Sequence, residues 1–147
     1  MATFGFVFVL LACLELAVSL STEQKAQIQA KFISVGEECV KDHPLSEEDI
    51  AALKQRKFPA GENAGCFSAC FLRNIRFFDE KGNLSKESAL EHTKEIFPDG
   101  DEVKKVEEFF DTCSKVNEAT VSDGEKGCER AELLFKCFTD NLDKFDF

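Results

Sequence analysis

From residue 39 onward this 147-residue chain is framed by six cysteines. They are Cys39, Cys66, Cys70, Cys113, Cys128 and Cys137, spaced C-x26-C-x3-C-x42-C-x14-C-x8-C. A seventh, Cys13, lies in an apolar leader. An even count behind an export signal reads as three disulfides, with the pairing left open by the count alone. Helical geometry narrows it. Cys66 and Cys70 stand at i,i+4 and share one face, so each bridges more easily to another element than to its neighbour. Cys128 and Cys137 are nine residues apart; at about 100° per residue they fall on roughly opposite sides of one helix, which could be stapled to a neighbour on each side.

Residues 1–19 read as a signal peptide. Phe4 to Ala12 is almost wholly apolar and Ala17-Val18-Ser19 offers a small-x-small cleavage site, although the n-region lacks Lys and Arg. The apolar run is too short, and too broken by Glu15, to span a membrane, and no later segment is long enough. Residues 20–147 are then a single secreted domain. The whole chain carries a net charge of −10, and removal of Glu15 with the leader leaves −9. That sign disfavours nucleic acid and anionic membrane as partners.

Along the domain the signals are helical. Ile28, Phe32, Val35 and Cys39 follow helical spacing from a capping box at Ser21 and Gln24 to a stop at Pro44, with Gly36 as a candidate bend. Ser46 followed by Glu47-Glu48-Asp49 starts a second helix reaching about Lys57, with Ile50 and Leu53 inward. A third runs from about Ala64 to Phe78, placing Phe67, Phe71, Ile75 and Phe78 on one stripe. Asp79 to Asn83 is a turn, and Ser85 caps a fourth helix that Pro98-Asp99-Gly100 ends. The fifth is expected over Asp101–Asn117 and the sixth over Gly127–Asn141.

Catalytic and metal-binding patterns are not evident. His43 and His92 are the only histidines, each in polar surroundings that suggest a solvated surface. Neither belongs to a metal, nucleophile-elbow or phosphate-loop motif. Cys66-x3-Cys70 is not a zinc spacing. The reading is no enzyme, no metal and no cofactor. The chain has 16 Phe and neither Trp nor Tyr. By periodicity alone these rings are ordinary core.

The three-residue gap before Cys70 and the eight-residue gap before Cys137 resemble those of insect odorant-binding proteins of the six-cysteine pheromone-binding and general odorant-binding family. So does the Asp79-Glu80-Lys81-Gly82-Asn83-Leu84 turn. The resemblance covers residues 21–147. It implies an all-α domain of about six helices, stapled by three interlocked disulfides around an apolar cavity. The implied bonds are Cys39–Cys70, Cys66–Cys128 and Cys113–Cys137. The implied lining draws on Phe32, Phe71, Ile75, Phe78, Leu90, Phe97, Phe109, Phe110, Leu133, Phe135 and Phe138, with Ser68, Asn74 and Thr93 as polar anchors.

The tail after Cys137 is short. The resemblance implies a wall or lid in which Leu142, Phe145 and Phe147 face inward, and which loosens in acid if Asp143 or Asp146 is paired. The implied function is a secreted carrier that solubilises a small hydrophobic odorant or pheromone, as monomer or weak homodimer, with an odorant receptor as a further partner. The competing readings are a non-olfactory lipid or hormone carrier or scavenger of the same fold, and a disulfide-stapled interaction protein without a cavity.

Overall fold

A computed structural model describes residues 22–96, 100–141 and 144. The leader over residues 1–19, the Ser21 cap, Phe97, Pro98, Asp99, Leu142, Asp143 and Phe145–Phe147 lie outside the described residues. Among those described there are six α-helices: α1 (Thr22–Asp42), α2 (Glu47–Lys54), α3 (Ala64–Asn74), α4 (Lys86–Ile96), α5 (Gly100–Cys113) and α6 (Cys128–Asp140).

α1 is continuous through Gly36 and ends before Pro44, which disfavours helical backbone at the residue preceding it. α2 opens with a complete capping box. The Ser46 hydroxyl accepts the Asp49 N–H at 3.1 Å, and the Asp49 carboxylate accepts the Ser46 N–H at 3.1 Å. Asp49 also accepts the Gly61 N–H at 3.2 Å, so the same buried carboxylate draws the α2–α3 connection back onto the helix start. α2 ends at Lys54, short of the expected Lys57, because the chain swings out at Arg56 with φ 59°. Ile50, expected inward, is 41% exposed.

α3 stops four residues before the expected Phe78. Arg76 takes the left-handed conformation (φ 64°), which breaks the helix and turns Phe77 and Phe78 back, their N–H groups both donating to the Leu72 carbonyl. Phe78 then forms an isolated antiparallel bridge with Leu84. Inside that turn the Asp79 carboxylate accepts the N–H groups of Lys81 and Asn83, each at 2.9 Å. Gly82 (φ 75°) lies against Gly127, and a Cβ at Gly82 would come within 2.8 Å of the Glu125 carbonyl oxygen. Asn117 pairs with the Leu84 backbone through both ends of its amide, at 2.7 and 2.9 Å. α5 does not continue to Asn117 as an α-helix; its last turn, Ser114–Asn117, tightens to 3-10 geometry.

The three disulfides are Cys39–Cys70 (α1 to α3), Cys66–Cys128 (α3 to α6) and Cys113–Cys137 (α5 to α6). α6 is stapled on two sides, as the nine-residue separation of its cysteines requires. α3 and α6 also approach closely at Gly65, where a Cβ would meet the Cys128 carbonyl oxygen at 2.9 Å. The core sits among α3, α4, α5 and α6. Its rings run edge to face from Phe77 to Phe110 (5.2 Å), to Phe109 (5.5 Å), to Phe138 (5.8 Å). Phe78, Leu84, Ala89, Val106, Val116, Ala131 and Leu134 fill the space around them. Arg130 is buried and donates to the carbonyls of Val116 (2.8 Å) and Ala119 (3.2 Å), pinning the α5–α6 connection.

Candidate functional site

Neither α1 nor α2 contributes a residue to this core. Two consecutive residues of α1 reach different neighbours. The Phe32 ring meets Phe71 of α3 edge to face at 5.6 Å, with Phe67 stacked beyond at 6.5 Å. Lys31 Nζ lies 3.1 Å from Nε2 of His92 on α4. Successive side chains diverge by about 100° around a helix, so α1 straddles the gap between α3 and α4. Phe71 and Ile75, one turn apart, border that gap on the α3 side, and His92 and Thr93 border it on the α4 side. Ile75 and Thr93 are buried, yet Phe32 is 42% exposed despite its aromatic contact. Apolar surface therefore remains uncovered on the Phe32 side of α1.

His92 overturns the expectation of a solvated histidine: it is 8% exposed. Ala89, His92 and Thr93 stand at i, i+3 and i+4, and all three are buried, so the helical stripe that takes Ala89 inward takes His92 with it. That periodicity was the available signal, masked by the flanking Glu91, Lys94 and Glu95. An ammonium can only donate, so Nε2 of His92 accepts from Lys31 and the imidazole proton is assigned to Nδ1. Nδ1 is buried without a hydrogen bond; Glu95 Oε2 is 3.5 Å away, close enough for attraction but not in bonding geometry. Burial first, then the Lys31 charge, holds the imidazole below its ordinary pKa. Arg76 adds to that depression and Glu95 opposes it. His43 is half-buried at the end of α1.

The other residues anticipated for the site separate into groups. Phe78, Leu90, Phe109, Phe110 and Phe138 belong to the core between α4, α5 and α6. Phe135 is half-buried and meets Phe58 of the α2–α3 connection at 5.5 Å. Leu133, expected inward, is 37% exposed, because the inner stripe of α6 runs through Ala131, Leu134 and Phe138 and leaves its neighbour outside. The three polar anchors all donate to carbonyls one turn back in their own helices: Ser68 to Ala64 (2.8 Å), Asn74 to Cys70 (2.8 Å) and Thr93 to Ala89 (2.6 Å). Lys31, Phe58, Arg76, Phe77 and His92 were not anticipated.

A separate cleft of about 320 Å³ lies between the α2–α3 connection and the start of α6. It is bordered by Phe58, Pro59, Gly61 and the Cys66–Cys128 bridge, with Glu62, Glu129 and Glu132 at its rim. Three carboxylates make it a poor receptacle for an apolar molecule. Among the described residues no cluster of His, Cys, Asp or Glu could hold a metal ion, and no helix is long and apolar enough to cross a membrane.

Six helices stapled by three interlocked disulfides are the architecture of insect odorant-binding proteins. Residues 21–141 match the PBP/GOBP family, and the chain belongs to it. General odorant-binding protein 19d of Drosophila melanogaster is 33% identical over 57 residues, which are 39% of this chain and 38% of that protein. The match thus spans well under half of that relative's length.

Among solved structures, the odorant-binding protein dmelOBP28a from Drosophila melanogaster superposes with a TM-score of 0.62 at 26% identity, covering 82% of this chain and 96% of its own. The medfly odorant-binding protein CcapOBP22/CcapOBP69a gives 0.56 at 26% identity, with 74% and 85% coverage. A fatty acid binding protein, OBP56a from the oral disk of the blowfly Phormia regina, gives 0.53 at 26% identity, with 84% and 96% coverage. The family match and the solved structures agree on the odorant-binding fold.

Proposed function

We propose that the protein is secreted after loss of residues 1–19 and carries an odorant, pheromone or fatty acid in a trough under α1, delivering it to a receptor-bearing surface. The observation that carries this reading is Phe32. An aromatic side chain on the inward face of a helix is held against Phe71 and still leaves two-fifths of its surface uncovered. A ligand tail lying along Phe32, Phe71 and Ile75 would cover it. Burial of roughly 300 Å² of ligand at about 25 cal/mol per Å² is a gross gain near 7 kcal/mol, which ordering costs reduce to about micromolar affinity. No covalent chemistry is involved; the protein binds, shields and releases. The blowfly neighbour is a fatty acid binding protein and the others are odorant-binding proteins, which supports the same ligand class.

The test is uptake of a fluorescent apolar probe by the oxidised protein, since a chain without Trp or Tyr has little emission of its own to follow. Saturable uptake that odorants or fatty acids displace is the expected result. Absence of saturable uptake would instead favour an interaction protein whose Phe residues simply fill the core.

A further inference from the structure

The carrier reading leaves the ligand's polar end unassigned, and the following rests on that reading. Three basic side chains from three elements act on one another: Lys31 of α1 reaches His92 of α4 at 3.1 Å, and the charge of Arg76, just beyond α3, is felt at the same imidazole. The protein is strongly acidic, with 28 Asp and Glu against 18 Lys and Arg. Carboxylate partners are therefore abundant, and surface lysines find them elsewhere: Lys41 with Glu38, Lys86 with Glu107 and Asp111. Lys31 instead spends a hydrogen bond on a neutral imidazole, and among the described residues neither it nor Arg76 pairs with a carboxylate.

His92 is more than nine-tenths buried, accepts from Lys31 through Nε2, and keeps Nδ1 without a hydrogen bond. Glu95 faces Nδ1 of His92 at 3.5 Å. A neutral imidazole can hold an ammonium in place without cancelling its charge. The cluster is thus an ammonium held in place by a neutral imidazole, next in sequence to the partly exposed Phe32 ring.

We infer that Lys31, oriented by His92 and seconded by Arg76, is a head-group site for a ligand carrying a carboxylate, whose apolar chain runs along Phe32, Phe71 and Ile75. An aliphatic acid has the matching layout: one anionic end and one apolar chain. A charge-assisted hydrogen bond in a partly desolvated site contributes more than the neutral bond an alcohol makes at the same place. The ionised acid should therefore bind about tenfold more tightly than the alcohol of equal length.

The experiment measures displacement of a neutral fluorescent probe by dodecanoate and by dodecanol at about pH 7.5, for the wild-type protein and for Lys31→Met, Lys31→Arg and Arg76→Gln. The expected result is a wild-type preference for the acid of about tenfold. Lys31→Met abolishes it, weakening dodecanoate about tenfold more than it weakens dodecanol. Lys31→Arg keeps the preference and Arg76→Gln reduces it. Equal displacement by acid and alcohol in the wild type, or equal weakening of both by Lys31→Met, overturns the head-group site while leaving the carrier reading intact. Absence of saturable probe binding in the wild type overturns both. Should Lys31→Met fold poorly, the wild-type comparison and the arginine variant still decide the matter.

Discussion

If the core and the ligand trough are separate places, two phenylalanines of similar size should fail in opposite ways. Phe110 is 1% exposed and touches the Phe77 and Phe109 rings edge to face. Truncating it to Ala removes its transfer free energy and leaves a cavity in a packed interior, a cost of about 4 kcal/mol. Phe71 is half-buried and meets Phe32 and Phe67 in the trough. Truncating it costs about 1–2 kcal/mol of stability. It also removes about 60 Å² of ring from contact with ligand, which at about 25 cal/mol per Å² is about 1.5 kcal/mol, or roughly tenfold in affinity.

Urea unfolding of the oxidised proteins reads the first quantity. With a denaturant slope of about 1.5 kcal/mol per M, Phe110→Ala should lower the midpoint by about 2.5 M and Phe71→Ala by about 1 M. Probe titration reads the second: Phe71→Ala should bind about tenfold more weakly, while Phe110→Ala stays within about twofold of wild type. The reverse pattern, with affinity lost in Phe110→Ala and kept in Phe71→Ala, would place the ligand between α4, α5 and α6 and refute the assignment of the trough.

Three further outcomes follow from the contacts described. The His92 pKa is depressed on folding, so as pH falls through about 6.5 the unfolded chain takes up a proton that the folded chain refuses, and stability drops until the lower folded pKa is passed. His92→Gln should flatten that part of the stability–pH curve, measured by urea midpoints between about pH 7 and pH 4.5. Arg130→Met should cost about 2–3 kcal/mol in the same unfolding assay, because two loop carbonyls lose their buried charged donor. Gly82→Ala should cost at least about 1–3 kcal/mol and slow recovery of the native disulfides on refolding, since the residue needs positive φ and its Cβ would strike the Glu125 backbone.

Much of this architecture was legible in the chain because its strongest signals are local or combinatorial. Cysteine spacing, with the resemblance it supports, led to the three bonds now seen. The Ser46–Asp49 box and Pro44 placed the α1–α2 junction because caps and breakers act within a turn. The misreadings have a common cause: tertiary context overrode a local pattern. Nothing at Arg76 announces a left-handed residue, since glycine is the usual sign, so α3 was extended to Phe78 through a continuous apolar stripe. His92 was hidden by charged neighbours although its own periodicity pointed inward. Phe rings stand on the apolar faces of α3, α5 and α6 alike, so the pattern could not separate core rings such as Phe110 from rings facing α1 such as Phe71. Lys31 and Arg76 carry no motif at all; their meaning arises only where three elements meet.

The staples also decide which part of the molecule has freedom to pivot. With bonds on two sides, α6 is a fixed shaft. α1 is bonded only at Cys39, near one end, and so resembles a lever with its fulcrum there. At about 1.5 Å per residue, Lys31 lies about 12 Å from that fulcrum and Thr22 about 25 Å. A tilt of about 10° would lift Lys31 by about 2 Å and Thr22 by about 4 Å, enough to part the ammonium from His92 while the core rings stay in place.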